Sequence, residues 1–232
     1  MDTLLEAFIN AFRLLLALDP ALIEIVGLTM QVSGGALLIS VVVGIPVGVG
    51  LGLSRRIPGV GCLVPLIYTG MGLPPVVVGL FVYLFLSNQG PLGNLQWLFT
   101  PAGMVASQTI IALPLIVGLT MAAVQAVDPM LPLQVRALGA TRRQLAWTTL
   151  TEARTGIFAA IVAAFGGIIS EVGAVMLVGG NIEGETRVLT TAIVLETRKG
   201  NFAIALALGI ILLALAFVAN FAFHRLQMQG ER

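Results

Sequence analysis

The chain has 232 residues, of which 58% are hydrophobic and only 10% charged. A soluble domain carries about 25% charged residues, and a chain with a mean hydropathy of +1.03 cannot clothe a water-facing surface. A soluble enzyme, a disordered chain and a nucleic-acid binder are excluded; an integral membrane protein remains.

In chain order, residues 1–19 come first and are amphipathic. Leu4, Phe8, Phe12 and Leu15 fall on one helical face, and Asp2, Glu6, Asn10 and Arg13 on the other. The pattern predicts an interfacial helix. It does not read as a signal peptide, having neither a basic start nor a small-residue cleavage site. Asp19 then caps a new helix that opens on Pro20.

Charge-free stretches set the rest. No charge falls between Glu24 and Arg55 or between Arg56 and Asp128; Glu171 is alone in 155–182, and 200–223 has none. A crossing helix needs about 20 apolar residues, so five spans are expected at about 25–53, 60–86, 104–127, 157–178 and 203–223. A turn-rich link from Ser87 to Asn94 parts the second from the third. The runs are continuous and too long for barrel strands. The expected fold is all-α integral membrane: one transmembrane domain over 20–226, plus the interfacial helix.

Five spans alternate the loops between two sides. One side collects Arg55, Arg56, Arg136, Arg142, Arg143, Arg154, Arg225 and Arg232; the other collects Arg13, Arg187, Arg198 and Lys199. The first side is expected to be cytoplasmic, with the amino end outside and the carboxyl end inside. Pro46, Pro65, Pro74, Pro75 and Pro114 lie in or beside spans and favour kinks, either for motion or for packing. Cys62 is alone, so no internal disulfide forms. His224 ends the fifth span and reads as interfacial, with a pH switch as the alternative.

The 128–154 loop has its own pattern. Pro132 can start a short helix, Gly139 can end it, and Thr141 with Gln144 spells a capping box for the next. Two short helices meeting near a glycine, with Arg136, Arg142 and Arg143 at the bend, would make a rigid basic knob. The other reading is a solvated loop that obeys the positive-inside rule.

Arg136-Ala-Leu-Gly-Ala-Thr-Arg-Arg-Gln-Leu resembles the coupling-helix motif of type I ABC importer permeases. The family's Glu-Ala-Ala positions hold Leu133, Gln134 and Val135, and Leu150-Thr-Glu-Ala-Arg stands where the family has Leu-Pro. Ile169 to Ile182, Thr186 to Thr197, Leu73-Pro-Pro-Val-Val-Val-Gly-Leu, Gly90-Pro-Leu-Gly and Phe99-Thr-Pro are similar to oxyanion permeases, tungstate permeases above all. The likeness runs from the interfacial helix to the fifth span.

The resemblance implies a type I ABC importer permease (MetI-like) fold in a bacterial or archaeal cytoplasmic membrane. It implies a homodimer, two ATPase subunits below and an extracytoplasmic tungstate-binding protein above, with lipid around it and no nucleic acid. Coupling to the ATPase falls to Arg136, Ala137, Leu138, Gly139, Ala140, Thr141, Arg142, Arg143 and Gln144. ATP and magnesium belong to the partner subunits, since the chain has no phosphate loop. It has neither a His/Cys metal cluster nor a nucleophile–base pair, so it binds no cofactor and catalyses nothing. Tungstate uptake is the expected function, with molybdate or sulfate as alternatives.

No Arg lies within an expected span, which fits a transient passage for a dianion, with affinity on another subunit. Pathway and gate candidates are Pro74, Pro75, Gly179, Gly180, Asn181, Thr186, Thr190 and Thr191. Thr186 and Thr190 are expected on one helical face. The 187–198 segment is too short and polar to span; it either re-enters as an outer gate or lies on the surface to dock the binding protein. Glu171 is the one acid inside a span, and its burial demands a partner such as Ser170, Gln108 or Thr109. The sharper alternative makes it the proton carrier of a secondary transporter.

Overall fold

A computed structural model describes residues 9, 12–13, 20–53 and 60–230, and every regular element among them is helical. The expected interfacial helix (Ile9, Phe12 and Arg13 apart), the Asp19 cap, Arg55 and Arg56 lie outside the described residues. The helices are α1 (Pro20–Leu53), α2 (Val60–Met71), α3 (Pro75–Leu86), α4 (Pro101–Gln125), α5 (Met130–Ala137), α6 (Arg142–Glu152), α7 (Arg154–Ile169), α8 (Gly173–Gly179), α9 (Leu189–Arg198) and α10 (Phe202–Gly230).

Among the described residues three helices are long and apolar enough to cross a bilayer unaided: Pro20–Leu53, Pro101–Gln125 and Phe202–Phe223. The expected second and fourth spans are not single helices. Over 60–86 the chain bends by 103° between α2 and α3. Pro74 is the cause: its ring pushes the residue before it out of helical geometry, its own backbone is extended, and Pro75 opens the next helix. Over 157–178, α7 stops at Ile169 and α8 starts at Gly173. A further bend of 68° separates α6 from α7, so α6 runs steeply across the bundle.

Helix directions follow from facing residues. On α1, Gly35 faces Val105, Gly44 faces Ile116, Gly48 faces Thr120 and Gly52 faces Val124. Both numbers rise together, so α1 and α4 are parallel. On α7, Gly156 faces Ala123, and Gln108 bonds to the carbonyl of Ile168. Here one number rises as the other falls, so α7 is antiparallel to α4. Parallel α1 and α4 require one return crossing between them, and the bent α2–α3 pair supplies it. Leu22 packs with Leu208 and Ile211, while Ala36 and Ile45 share a cluster with Ala216 and Phe223. That makes α10 parallel to α1. The crossings therefore alternate, and the start of α1 and the end of α10 lie on opposite sides.

Helix α4 is the hub. Its Ala112 and Ile116 pack with Ala36 of α1 and with Phe165 and Ile168 of α7 in the central core. The α1–α4 contact is close because glycines make it so. A Cβ at Gly48 would stand 2.8 Å from the Val117 carbonyl oxygen, and one at Gly52 2.5 Å from a methyl of Val124. Such spacing of small residues lets helix backbones approach where lipid tails give no hydrophobic drive to associate.

Candidate functional site

Two regions carry the residues singled out from the sequence. They lie at opposite ends of the bundle.

The first is the knob formed by α5, Gly139 and α6. Helix α5 ends in a Schellman motif: the Ala140 N–H donates to the Val135 carbonyl at 3.2 Å and the Gly139 N–H to the Arg136 carbonyl at 3.0 Å. Gly139 has φ +81°, a conformation that a side chain penalises. Thr141 and Gln144 then form the capping box their spacing predicts. The Thr141 N–H donates to Gln144 Oε1 at 2.8 Å, and the Gln144 N–H to Thr141 Oγ1 at 3.3 Å. Buried Leu145 and Thr149 seat α6, and Val49, Val124, Ala153 and Ile157 form the core beneath. By contrast α5 buries nothing, and Leu138 at its tip is 87% exposed. A recess of about 400 Å³ at the base of the knob is lined by Arg136, Leu133 and Pro132 and by Gly52, Leu53 and Val124. The knob is joined to the ends of α1 and α4 through α6, whose Ala146 and Leu150 pack against the cluster holding Val49 and Val124.

The second region surrounds the break between α7 and α8. The Glu171 carboxylate accepts from the Ala174 N–H at 2.9 Å and the Val175 N–H at 3.1 Å, capping α8. None of the three side chains expected to partner it does so. Ser170 donates to the Gly166 carbonyl, Gln108 to the Ile168 carbonyl at 2.9 Å, and Thr109 to the Val105 carbonyl. The reason is local: a broken helix frees N–H groups beside the acid, and its carboxylate caps them. Thr190 completes the junction by donating to the Glu171 carbonyl at 3.0 Å. Backbone freed inside hydrocarbon has to be satisfied within the protein.

Helix α3 packs on α8 in parallel. A Cβ at Gly173 would meet Val76 at 2.5 Å, and one at Gly79 the Ala174 Cα at 2.5 Å. Thus Pro74 and Pro75 at one break lie beside Glu171 at the other, and the two broken spans meet at their joints. Gly180 and Asn181 follow α8 in left-handed geometry, at φ +74° and +56°. Thr186 staples this turn, donating to the Gly179 carbonyl and accepting from the Ile182 N–H. Thr191 closes the start of α9 on Val188, and the Leu189 N–H donates to Thr29 Oγ1 of α1 at 3.0 Å.

Thr186, Thr190 and Thr191 are all buried, and their hydroxyls are engaged with backbone. Thr186 and Thr190 do not share a helical face, because α9 begins only at Leu189. The contact of Thr190 with Glu171 puts the start of α9 level with the break, one short helix below Gly180. The chain doubles back after Gly180 and rises again through α9. The buried stretch Leu189–Ala192 seats α9 in the bundle, so it does not lie on the surface.

Three features carry no signal that sequence reasoning used. Thr29 meets its partner 160 positions away. The glycine spacing on α1 was legible only as a high glycine content. The exposed side of α7 carries small residues alone: Thr155, Ala159, Ala163, Gly167 and Ser170. Among the described residues no group of three or more His, Cys, Asp or Glu could hold a metal.

Residues 44–228 match the family of binding-protein-dependent transport system inner membrane components, and the chain belongs to that family. It is a membrane-embedded permease subunit of an ABC import system, which works with ATPase and binding-protein partners; ATP hydrolysis belongs to the ATPase subunits. A "Probable anion ABC transporter permease protein" of Haloferax volcanii is 46% identical over 204 residues, covering 86% of this chain and 88% of the relative. A "Tungstate uptake system permease protein" of Peptoclostridium acidaminophilum is 38% identical over 228 residues, 98% of this chain and 99% of the relative. Permeases named for molybdenum and for sulfate transport are related at lower identity. A crystal structure of an amino acid ABC transporter with histidines superposes with a TM-score of 0.60, covering 94% of this chain and 96% of that one at 19% identity, and shares the fold.

Proposed function

We propose that this chain forms the passage of an ATP-driven oxyanion importer whose solute is tungstate. One observation carries the reading: a relative named for tungstate uptake aligns along 98% of the chain at 38% identity. Molybdate and sulfate are the alternatives, since permeases named for them are related too.

Two copies face each other, with the small-residue side of α7 toward the passage. Two ATPase subunits bind ATP and magnesium and grip the knob from Arg136 to Gln144 on the cytoplasmic side. The amino end lies outside and the carboxyl end inside, which puts the arginine-rich loops in the cytoplasm. Closure of the ATPase dimer drives the knob against the ends of α1 and α4. The chain around Gly179, Gly180 and Asn181, with Thr186, Thr190 and Thr191, forms the outer gate, and Pro74 and Pro75 are the hinge beside it.

A proton-linked carrier working through Glu171 is the rival class. Both carboxylate oxygens cap α8, which speaks for a structural role. Proteoliposomes holding the permease, its ATPase and its binding protein decide the matter. Tungstate is expected to accumulate only with ATP and to outcompete molybdate and sulfate. Uptake driven by a pH gradient through the permease alone would overturn the reading. In the same assay Gly139→Val is expected to insert normally yet hydrolyse ATP without matching uptake.

A further inference from the structure

We propose that the groove between α1 and α6 binds an anionic phospholipid, with the headgroup phosphate on Arg143 and the acyl chains along α1. The groove encloses about 680 Å³. Its floor is apolar, made by Pro46 and Val49 of α1 with Ala146 and Leu150 of α6. Its rim carries Arg143 and Trp147, which sit four residues apart on one face of α6.

Depth and orientation select a lipid. Pro46 and Val49 precede the end of α1 by about 10 and 6 Å at the helical rise, which is the level of upper acyl chains. The 68° bend lays α6 across the bundle rather than through it. Trp147 is 70% exposed, and exposed tryptophan at this level is the usual companion of headgroups. Arg143 is exposed and makes no ion pair with any described acid. Besides Arg143, the 128–154 loop carries Arg136, Arg142 and Arg154 against Asp128 and Glu152, so its net charge favours an anion.

An ATPase subunit is the other conceivable occupant. The groove shares Arg143 and Gln144 with the end of the knob, so the two sites adjoin there; no residue of α5 lines it, however, and the exposed tip at Leu138 lies outside it. A partner arriving from water would also have to reach beside the apolar part of α1. The inference rests on the chain being a membrane subunit and is independent of its solute.

Lipid titration of the purified transporter, followed by native mass spectrometry, tests it. Dioleoyl-phosphatidylglycerol is expected to bind more tightly than dioleoyl-phosphatidylcholine. Arg143→Gln is expected to weaken phosphatidylglycerol about fivefold and leave phosphatidylcholine unchanged. Trp147→Ala is expected to weaken both lipids, and Arg198→Gln, at the other end of the bundle, neither. In a Cys62→Ser background, a benzophenone on Trp147→Cys is expected to crosslink to phosphatidylglycerol in vesicles. Equal binding of the two lipids, or no change in Arg143→Gln, overturns the proposal. Crosslinking to the ATPase subunit in place of lipid also overturns it and assigns the groove to that partner.

Discussion

Glu171 is only 7% exposed and caps a seven-residue helix. A hydrogen bond contributes about 1 kcal/mol net, and an orphaned buried N–H costs about 1–3 kcal/mol. Glu171→Ala is therefore expected to destabilise the fold by about 3 kcal/mol. Glu171→Gln keeps one acceptor oxygen and should lose roughly half of that. Thermal unfolding in detergent reads both; equal melting of all three proteins would remove the capping role. Glu196 illustrates a weaker case. Hydrogen bonds from Lys199 and Asn201 hold its carboxyl below the usual carboxylate range. A lowered folded-state pKa contributes stability that is present at neutral pH and is lost as pH falls through that lowered value. Lys199 is half exposed, so the effect stays below about 1 kcal/mol. Glu196→Gln is expected to melt slightly below the parent protein at neutral pH and together with it in acid.

Helices α1 and α4 owe their contact to Gly44, Gly48 and Gly52. Gly48→Leu would drive a side chain into the Val117 carbonyl and Thr120, and overpacking of this kind costs about 1–3 kcal/mol or more. The expected result is a lower melting temperature in detergent, larger than that for Gly50→Leu, whose added Cβ meets nothing within 4 Å. The knob is the element whose shape was most legible. Gly139, Thr141 and Gln144 act through contacts within a few residues, so local spacing suffices to place the bend and the start of α6; α5 itself begins at Met130 rather than at Pro132, because the Asp128 carboxylate accepts from the Met130 N–H. Pro74 and Pro75 carried an equally local signal for a kink, yet the 103° bend exceeds what a kink implies. Its size depends on α3 turning to pack against α8 through Gly79 and Gly173, a contact no neighbouring residue reveals.

Across the whole molecule the alternation of crossings makes a direct prediction. Leu138→Cys and Glu183→Cys, each in a Cys62→Ser background, should be labelled by an impermeant maleimide from opposite sides of the membrane. Labelling from one side would contradict the parallel pairing of α1 with α4 and α10. The apolar runs were legible because hydrophobic length is a property of the linear chain, measured against a bilayer of fixed thickness; among the described residues three of them fold as single helices long enough to cross, and the others are bent or broken. Class, membrane location and the helix–glycine–helix knob follow from such linear features. The break at Ser170–Val172 does not. Apart from Ser170 and Glu171 the chain around it is apolar, and the charge-poor run reads as one continuous span. What permits it is a set of partners brought from elsewhere: Gln108 reaching Ile168 across 60 positions and Thr190 reaching Glu171 across 19. In hydrocarbon no water can satisfy an interrupted helix, so it breaks only where the tertiary structure supplies hydrogen bonds. The sequence by itself determined that the chain crosses the membrane, about where, and where a glycine-centred helical knob stands between two spans. The tertiary structure decided which spans are broken, and with that where the two breaks meet, because only distant partners can satisfy the backbone a break sets free.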